Sequence, residues 1–491
     1  MSPPKPADLP EVFIADDPKW ASRATRRGEI RRLARGLYSS NLDEPVEQLL
    51  RRRWADVAAL YFPGAVVVDR SAIVAGPARD GSLFLDTGPT PVRPRSVVLP
   101  GLTLRPRSGP GRIEGDMPFV GLWMASPART YLDNMRPSRA RSGIRRTLSR
   151  DELEEKLDQV ARAHGDAVLN EIRDAARAAA PLLEADDLFE QLDRLIGALQ
   201  GTREGDLVTP AARARGAGLA YDTDRLKLFE MLRAQLAQQE LPRRPEPPDP
   251  ERLFAFFEAY FSNWIEGTEF EVEEAAEIVF ERRIPVDRPD DAHDVQGTFD
   301  LITDPKVRAA EPADFDQLEA LIGVMHRRVM RARPEVRPGA YKRVPNRAGN
   351  TSFVHPDLVR GTLREGFSLC RTLPPGLPRA IYAMFLVAEV HPFADGNGRV
   401  ARALMNAELS AAGLCRVMIP LSYRDEYLNA LRALSRNENP RPLWRMVDRA
   451  QSWASKMTWA GRDRVFALMG ETNALADPRD VDDRDLHLLD P

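Results

Sequence analysis

HPFADGNGRVAR, residues 391–402, follows the apolar run IYAMFLVAEV (381–390) and merges into NGRVARALMNAEL (397–409), which resumes helical spacing. The apolar run is hydrophobic nearly all round, the pattern of a helix buried in a domain centre, and it delivers His391 to the end of a rigid element. Pro392, Asp395, Gly396 and Gly398 continue a helix poorly, so the stretch predicts a helix, a tight loop and a second helix. The backbone N–H groups of Gly396, Asn397 and Gly398, aided by the dipole of the second helix, then form an anion cradle suited to a diphosphate. Glycine suits this place because a side chain would hold phosphate oxygens away from the backbone. Asp395 beside the cradle offers the hard oxygen ligand that Mg²⁺ takes when it bridges phosphates. Arg399 and Arg402, three apart, share one helix face and reach toward the same phosphates. His391 is the one group here that takes up a proton near neutral pH. Taken singly, each of these features has an ordinary structural use as a satisfied histidine, a turn or a surface ion pair. Together within twelve residues they point to transfer of part of a nucleotide onto a hydroxyl.

The rest of the composition limits the alternatives. A chain of 491 residues holds two to four domains, at roughly 100–200 residues per domain. Its 43% hydrophobic and 29% charged content excludes wholesale disorder. A formal net charge of -3 leaves any attraction for nucleic acid to local clusters. Cys370 and Cys415 lack a CxxC partner and read as buried thiols, which excludes a disulfide frame or a cysteine zinc site. The opening residues, MSPPKPADLPEVFIADDPKW, lack the charged and apolar regions of a signal peptide, and the longest apolar run is too short to span a bilayer. A soluble cytoplasmic protein without a membrane partner is expected.

Five regions follow from patterning. Residues 1–135 are Arg-rich and turn-rich, with strand-like runs AVVVD, SLFLD and SVVLP, and read as α+β. Residues 136–240 carry apolar positions every three or four residues and read as helices. The segment 241–250 is Pro-dense and charged, as a stiff linker would be. Residues 251–460 are helical, opening on a helix at 250–267 capped by Asp249 with Pro250 at its first position. Further helices are legible around 315–331, 357–371, 377–390, 398–412, 424–435 and 440–458. Between the first two of these, GAYKRVPNRAGNTSFVHP flanks an Asn/Gly turn with β-branched and aromatic residues and predicts a hairpin. Residues 461–491 hold the last helix end and an acidic, mobile tail. The fold class expected is mainly α, with a small β-hairpin flap and an α+β N-terminal region.

HPFADGNGRVAR matches without departure the Fic-domain signature His-x-Phe-x-Asp/Glu-Gly-Asn-Gly-Arg-x-x-Arg. The resemblance covers about residues 250–460. It implies an all-helical core in which His391 deprotonates a target hydroxyl, Phe393 anchors the loop and Asp395 holds Mg²⁺. Gly396, Asn397 and Gly398 would bind the α- and β-phosphates, with Arg399 assisting. The activity implied is transfer of AMP from ATP, with release of pyrophosphate, to a Ser, Thr or Tyr hydroxyl of a protein target that the sequence does not name, the chain itself being one candidate. Mn²⁺ is an alternative metal, and relatives exist that use other nucleotides or phosphorylate their targets. The family's flap, here about Lys342 to Phe353 (Lys342, Arg343, Val344, Thr351, Ser352, Phe353), would dock the target as an added strand. SNWIEG (262–267) is similar to the family's inhibitory motif, Ser/Thr-x-x-x-Glu-Gly/Asn. From the residues alone, Ser262 and Glu266 lie i, i+4 on one face and Gly267 terminates the helix. The resemblance implies that Glu266 pairs with Arg402, which otherwise orients the ATP γ-phosphate, and that the same glutamate serves AMP removal in some members. Oligomers are common in the family.

WASRATRRGEIRRLARGLYSS (20–40) has the order helix, Arg-rich turn, strand, Gly turn, strand. It resembles the winged helix of AbiEi-type antitoxins, which also close on an Arg-Gly-x-Tyr pattern, here Arg35 to Tyr38. SPARTYLDNM (126–135) is similar to a second segment of those proteins. Arg23, Arg26, Arg27, Arg31, Arg32 and Arg35 would then neutralise DNA phosphates. Two function classes thus stand side by side: a protein adenylyltransferase, and a DNA-binding regulator whose Fic domain senses nucleotide.

Overall fold

The computed structural model describes residues 9–89, 95–139, 143–249, 251–477, 479 and 490. It divides into two compact units, Met1–Gly218 and Leu219–Pro491. Among the described residues no helix is long and apolar enough to cross a membrane.

The first unit is α+β. Strands β1 (Val12–Ile14), β2 (Arg31–Ala34) and β3 (Leu37–Ser39) form an antiparallel sheet in the order β1-β3-β2, with helix α1 (Pro18–Arg26) between β1 and β2. Asp17 accepts from Lys19 N at 2.8 Å and so caps α1, while Gly36, at φ 80°, makes the turn from β2 to β3. Helices α2 (Val46–Arg52) and α3 (Trp54–Tyr61) lead to a six-stranded mixed sheet ordered β6-β7-β5-β4-β9-β8. It is built from β4 (Val66–Val67), β5 (Ser82–Asp86), β6 (Val97–Leu99), β7 (Leu102–Arg107), β8 (Met117–Phe119) and β9 (Leu122–Met124). The runs AVVVD, SLFLD and SVVLP supply β4, β5 and β6, and β5 is buried along its whole length. Helix α4 (Asp69–Ile73) follows β4, α5 (Pro127–Met135) follows β9, and α6 (Arg150–His164), α7 (Ala167–Ala179), α8 (Asp186–Leu199) and α9 (Pro210–Gly216) complete the unit.

The division at Gly218 differs from the boundary expected at 241–250. Helix α10 (Thr223–Leu236) belongs to the second unit because Phe229 is fully buried there, its ring 6.1 Å from Tyr382 and 5.9 Å from Phe385. Close approach at Gly361 seals the same contact: a Cβ there would lie 2.2 Å from Ala220 O. The Pro-dense segment is no free linker either. Arg244 O accepts from Cys415 N at 2.8 Å, Pro245 bridges to Leu414, and Arg244 Nη1 holds Asp448 at 2.7 Å.

In the second unit, α11 (Leu253–Ile265) is buried at all thirteen positions. Asp249 caps it from a distance, its carboxylate accepting from Phe254 N and Ala255 N at 3.1 and 3.2 Å; the predicted first residue, Pro250, lies outside the described residues. Around α11 and the central α17 (Leu377–Val390) pack α12 (Val272–Phe280), α13 (Pro289–Thr303), α14 (Pro305–Arg308), α15 (Phe315–Val329), α16 (Val359–Cys370) and α18 (Asn397–Ala411), then α19 (Arg424–Asn437), α20 (Arg441–Lys456) and α21 (Arg462–Glu471). Helices α12 to α14 and α21 have no counterpart among the predicted helices. The apolar period of α13 is masked because it buries Asp294, Gln296 and Thr298 and carries an interior glycine, Gly297. The acidic tail expected beyond α21 falls mostly outside the described residues. Both cysteines are buried free thiols.

One ion cluster ties α11 to the rest. Glu258 is buried and accepts from Asn406 Nδ2 at 2.8 Å and from Arg416 Nη1, whose Nε donates to Glu246 at 3.0 Å. Removing one member leaves a buried charge uncompensated, which costs about 3–5 kcal/mol. Arg416→Met is therefore expected to lower the melting temperature of the full chain strongly in a calorimetric scan, whereas Arg282→Met, at an exposed pair with Asp300, should barely move it.

Candidate functional site

The site is made by three chain ends meeting: the C-terminus of α17, the N-terminus of α18 and the C-terminus of α11. His391 ends α17 in a left-handed conformation, φ 54° and ψ 59°, which turns the chain out of the helix and into the loop. Phe393 is fully buried, stacked on the His326 ring at 3.9 Å with the planes 4° apart. Asn397 closes the loop from inside: its Oδ1 accepts from Phe393 N at 2.8 Å and its Nδ2 donates to Phe393 O at 2.9 Å. Its side chain is thus a loop staple, and only its backbone faces the cradle.

The loop's floor is a histidine that sequence reading missed. Gly339 N donates to His326 Nδ1 at 2.7 Å, so Nδ1 is the acceptor and Nε2–H donates to Asp395 O at 3.0 Å. That pattern requires the neutral ring, and burial drives its pKa down to about 4 against the favourable Asp395 carbonyl. Its signal in the sequence is positional, since Ile322, Val329 and Met330 share its helix face, as around a core histidine.

Gly396 starts α18 at φ 74°, and a Cβ there would strike Met330 Sδ at 2.7 Å. The first N–H to bond back within the helix is that of Val400, to Gly396 O at 3.1 Å. The amides of Asn397, Gly398 and Arg399 therefore point out of the helix end as an anion site requires. The Gly396 amide, expected in the same cradle, is taken by Asp395 Oδ1 at 2.6 Å. Over Gly398 sits the carboxylate of Glu266: a Cβ built on Gly398 would be 2.1 Å from Glu266 Oε1.

Both arginines of the stretch are buried. Arg399 Nη1 binds Asp294 Oδ2 at 2.7 Å and Asn263 Oδ1 at 3.2 Å, and its Nη2 touches Met330 Sδ at 3.3 Å. Its guanidinium is thus held in the core, not extended toward a ligand as expected. Arg402 Nε donates to Ser262 Oγ at 3.0 Å, and its Nη2 donates to Ser262 O at 2.8 Å and to Glu266 Oε1 at 2.7 Å. Burial alone would raise the Glu266 pKa, but the charges of Arg402 and Arg399 outweigh it and hold the carboxyl below its usual value. Gly267, at φ 91°, then turns the chain away from the site.

His391 Nδ1 lies 3.2 Å from Ala388 O, a geometry in which Nδ1 carries the proton and Nε2 is left as the acceptor. Burial, supported by the Lys342 charge, pushes the pKa of His391 down to about 4, so the ring is neutral at pH 7. Phe353 covers it, stacked at 3.7 Å with the planes 7° apart.

Residues 315–409 match the Fic/DOC family. This chain carries a Fic domain. Protein adenylyltransferase fic-1 of Caenorhabditis elegans is 33% identical over 112 residues, 22% of this chain and 22% of that protein. Protein adenylyltransferase Fic of Drosophila erecta is 31% identical over 148 residues, 28% and 29% of the two chains. The chain thus spans under a third of these relatives' length. Among solved structures, Fic-1 (residues 134–508) of C. elegans aligns over 64% of this chain and 99% of its own, at 21% identity and a TM-score of 0.36. IbpAFic2 in complex with adenylylated Cdc42 aligns over 62% and 88%, at 13% identity and 0.32.

The flap of the Fic domain is shorter than expected. Its strands are β10 (Arg347–Ala348) and β11 (Thr351–Ser352), joined by Gly349 and Asn350. Arg343 and Val344 are exposed ahead of the pairing, Val344 at 72%, and Lys342, expected to face a target, is buried because its ammonium turns inward onto Asn346 Oδ1. Two arginines that the sequence did not single out hold β11. Arg225 of α10 donates to Ser352 O at 2.5 Å and pairs with Glu389 at 2.8 Å, and Arg436 of α19 donates to Thr351 Oγ1 at 2.6 Å.

In the N-terminal cluster, Arg23, Arg26, Arg27, Arg32 and Arg35 are exposed. Arg27 pairs with Glu29 at 2.7 Å and Arg32 Nε reaches Ala34 O at 3.2 Å. Arg31 is turned onto the carbonyls of Leu42 and Glu44, which takes it out of a basic face.

His326 supplies a pH test. A histidine at about 4 in the fold and 6.5 when unfolded binds more protons in the unfolded chain, so its contribution is complete above pH 6.5 and drains away as pH falls toward 4. The melting temperature should fall through that window, and His326→Gln, which keeps an amide to bond Asp395 O, should flatten the fall while lowering the neutral-pH value.

Proposed function

We propose that the chain is a protein adenylyltransferase held in an inhibited state by Glu266. The observation that carries this reading is the Glu266 carboxylate lying over Gly398 and bound to Arg402, beside a His391 whose Nε2 is an unprotonated acceptor. The amides at the start of α18 and the Arg402 guanidinium form one cationic socket, and in this conformation a side-chain carboxylate fills it. A polyphosphate has the same sign of charge and the same donors to gain, and the relatives named protein adenylyltransferase favour ATP as that ligand.

With Glu266 withdrawn, ATP would lie with its phosphates on the Asn397–Arg399 amides and Arg402. His391 Nε2 takes the proton of a Ser, Thr or Tyr hydroxyl, whose oxygen bonds to the α-phosphorus. The bond to the β-phosphate oxygen breaks, and pyrophosphate leaves with the electron pair. A divalent cation, Mg²⁺ or Mn²⁺, supplies charge neutralisation on the phosphates. Asp395 fits as its protein ligand, since its carboxylate is 56% exposed beside the cradle and among the described residues no group of three ligating side chains exists to hold a cation by itself. Gly398 keeps the amide cradle open, which favours nucleotidyl transfer over the phosphorylating variants of the family. Glu266 at the same place is also the group that would direct AMP removal.

Glu266→Gly should raise labelling of the chain by ATP on the order of tenfold, equal to about 1.4 kcal/mol in the balance of the two states. His391→Ala should remove it by roughly 100-fold or more. Mass spectrometry after incubation with each nucleoside triphosphate reads both: a gain of one AMP carries the reading, and no gain from any nucleotide in Glu266→Gly rejects it in favour of a nucleotide-sensing regulator.

A second reading concerns the first unit. Lys19, Arg23 and Arg26 repeat at i, i+4, i+7 along α1, all exposed, which is a basic stripe fitted to a phosphate backbone. DNA binding through it should weaken steeply with salt and lose part of that slope in Arg23→Ala/Arg26→Ala; a flat salt response in a fluorescence titration rejects it.

A further inference from the structure

The segment Lys342–Asn346 takes no part in the strand pairing of the flap, yet it binds the backbone on both sides of the base. Lys342 N donates to Pro392 O at 2.9 Å, and Lys342 Nζ lies 3.5 Å from Val390 O and 2.6 Å from Asn346 Oδ1. Asn346 Nδ2 donates to Phe393 O at 3.0 Å. The carbonyls of residues 390, 392 and 393 are therefore all held from one five-residue segment. Asn346 O also accepts from Phe353 N at 3.2 Å, which sets the ring that stacks on His391.

His391 is a non-glycine residue in the left-handed region, a backbone state that persists only where the surroundings over-determine it. The hydrogen bonds from Lys342 and Asn346 over-determine it together with the Asn397 side chain on Phe393 and the His391 contact to Ala388 O. A buried methionine would fill the Lys342 slot without the desolvation of an ammonium, and that ammonium is held by two neutral oxygens; burial, with the nearby Arg225 charge, draws its pKa down to about 7, so the full charge is present on the acid side of that value, where His391 titrates.

We propose that Lys342 is a positioning residue for His391, clamping with Asn346 the carbonyls on both sides of the base and, on the acid side of neutrality, holding a positive charge beneath the flap. The proposal rests on the transferase reading for its consequence but not for its geometry. Three charged groups face the imidazole: Lys342 from the flap root, Glu266 from the end of α11 and Asp395 from the loop itself. Lys342 opposes the imidazolium, and the two carboxylates favour it. In Glu266→Gly one of these carboxylates is gone while Lys342 still opposes the imidazolium, so removing the ammonium moves the proton affinity of His391 upward.

The test uses the full chain with Glu266→Gly as parent. Lys342→Met should lower the maximal rate of labelling by ATP about tenfold or more with the KM for ATP held within about twofold, and should move the acid limb of the pH profile to higher pH. Asn346→Ala, which keeps the charge, should lower the rate without moving that limb. Independently of turnover, the pH at which His391 becomes reactive to diethylpyrocarbonate, read by mass spectrometry at that residue, should rise in Lys342→Met and stay unchanged in Asn346→Ala. An unchanged reactivity curve in Lys342→Met overturns the charge role, and an unchanged rate in Asn346→Ala overturns the clamp. Should Lys342→Met fail to fold, as judged by its melting transition, Asn346→Ala decides the proposal by the same rate criterion. A parent that labels nothing rejects the transferase reading, while the reactivity curves still decide this one.

Discussion

Glu266 occupies a place in the second unit where two helix ends of opposite polarity face each other. It caps α11, whose carbonyl end repels a carboxylate, and lies over the start of α18, whose amide end attracts one. Dipole contributions of about 0.3–1 kcal/mol each roughly offset, so the guanidinium of Arg402, 2.7 Å away, decides the balance. Everything around the pair serves to aim these two groups. Ser262 fixes the guanidinium from the preceding turn of α11 through its hydroxyl and its carbonyl. The burial of α11 on all sides leaves its last residue as the part of the helix with room to move.

The polar residues of the signature divide into those that are spent and those that are available. Asn397 is spent on Phe393, and Arg399 on Asp294 and Asn263. Asp294 is itself shared, since Arg333 Nε binds the same Oδ2 at 2.9 Å. These contacts build a rigid loop before any ligand arrives, which is how an active centre limits the reorganisation it needs at the moment of reaction. The groups left to meet a ligand are the amides of α18, the exposed carboxylate of Asp395, the Nε2 of His391 and, once Glu266 withdraws, one edge of the Arg402 guanidinium.

What could be read beforehand followed local pattern. The order helix, loop, helix around residues 391–402 rests on an apolar run and on glycines at fixed offsets, and Phe393 is buried as a lone aromatic in a polar loop would be. The approach of Glu266 to Arg402 spans 136 residues and was legible only through resemblance, because no periodicity encodes it. Asp294, Asn263 and Asn346 left no trace because their partners are distant in sequence and their types are common on surfaces. Lys342 was read as a flap residue for the same reason: a lysine beside a turn is ordinarily solvated, and only tertiary packing turned it inward. The unit boundary was misplaced because proline density marks a stiff segment, not an unattached one, and here the stiff segment is docked against Leu414 and Asp448.

Helix α10 begins a few residues after the division at Gly218 and is the first element of the second unit. Through Arg225 it grips both the carbonyl of Ser352 and the carboxylate of Glu389, the latter two positions before His391. The start of the second unit is therefore tied to the flap and to α17 at a single guanidinium. A shift of α10 would thus reach the flap and the end of α17 through one shared contact.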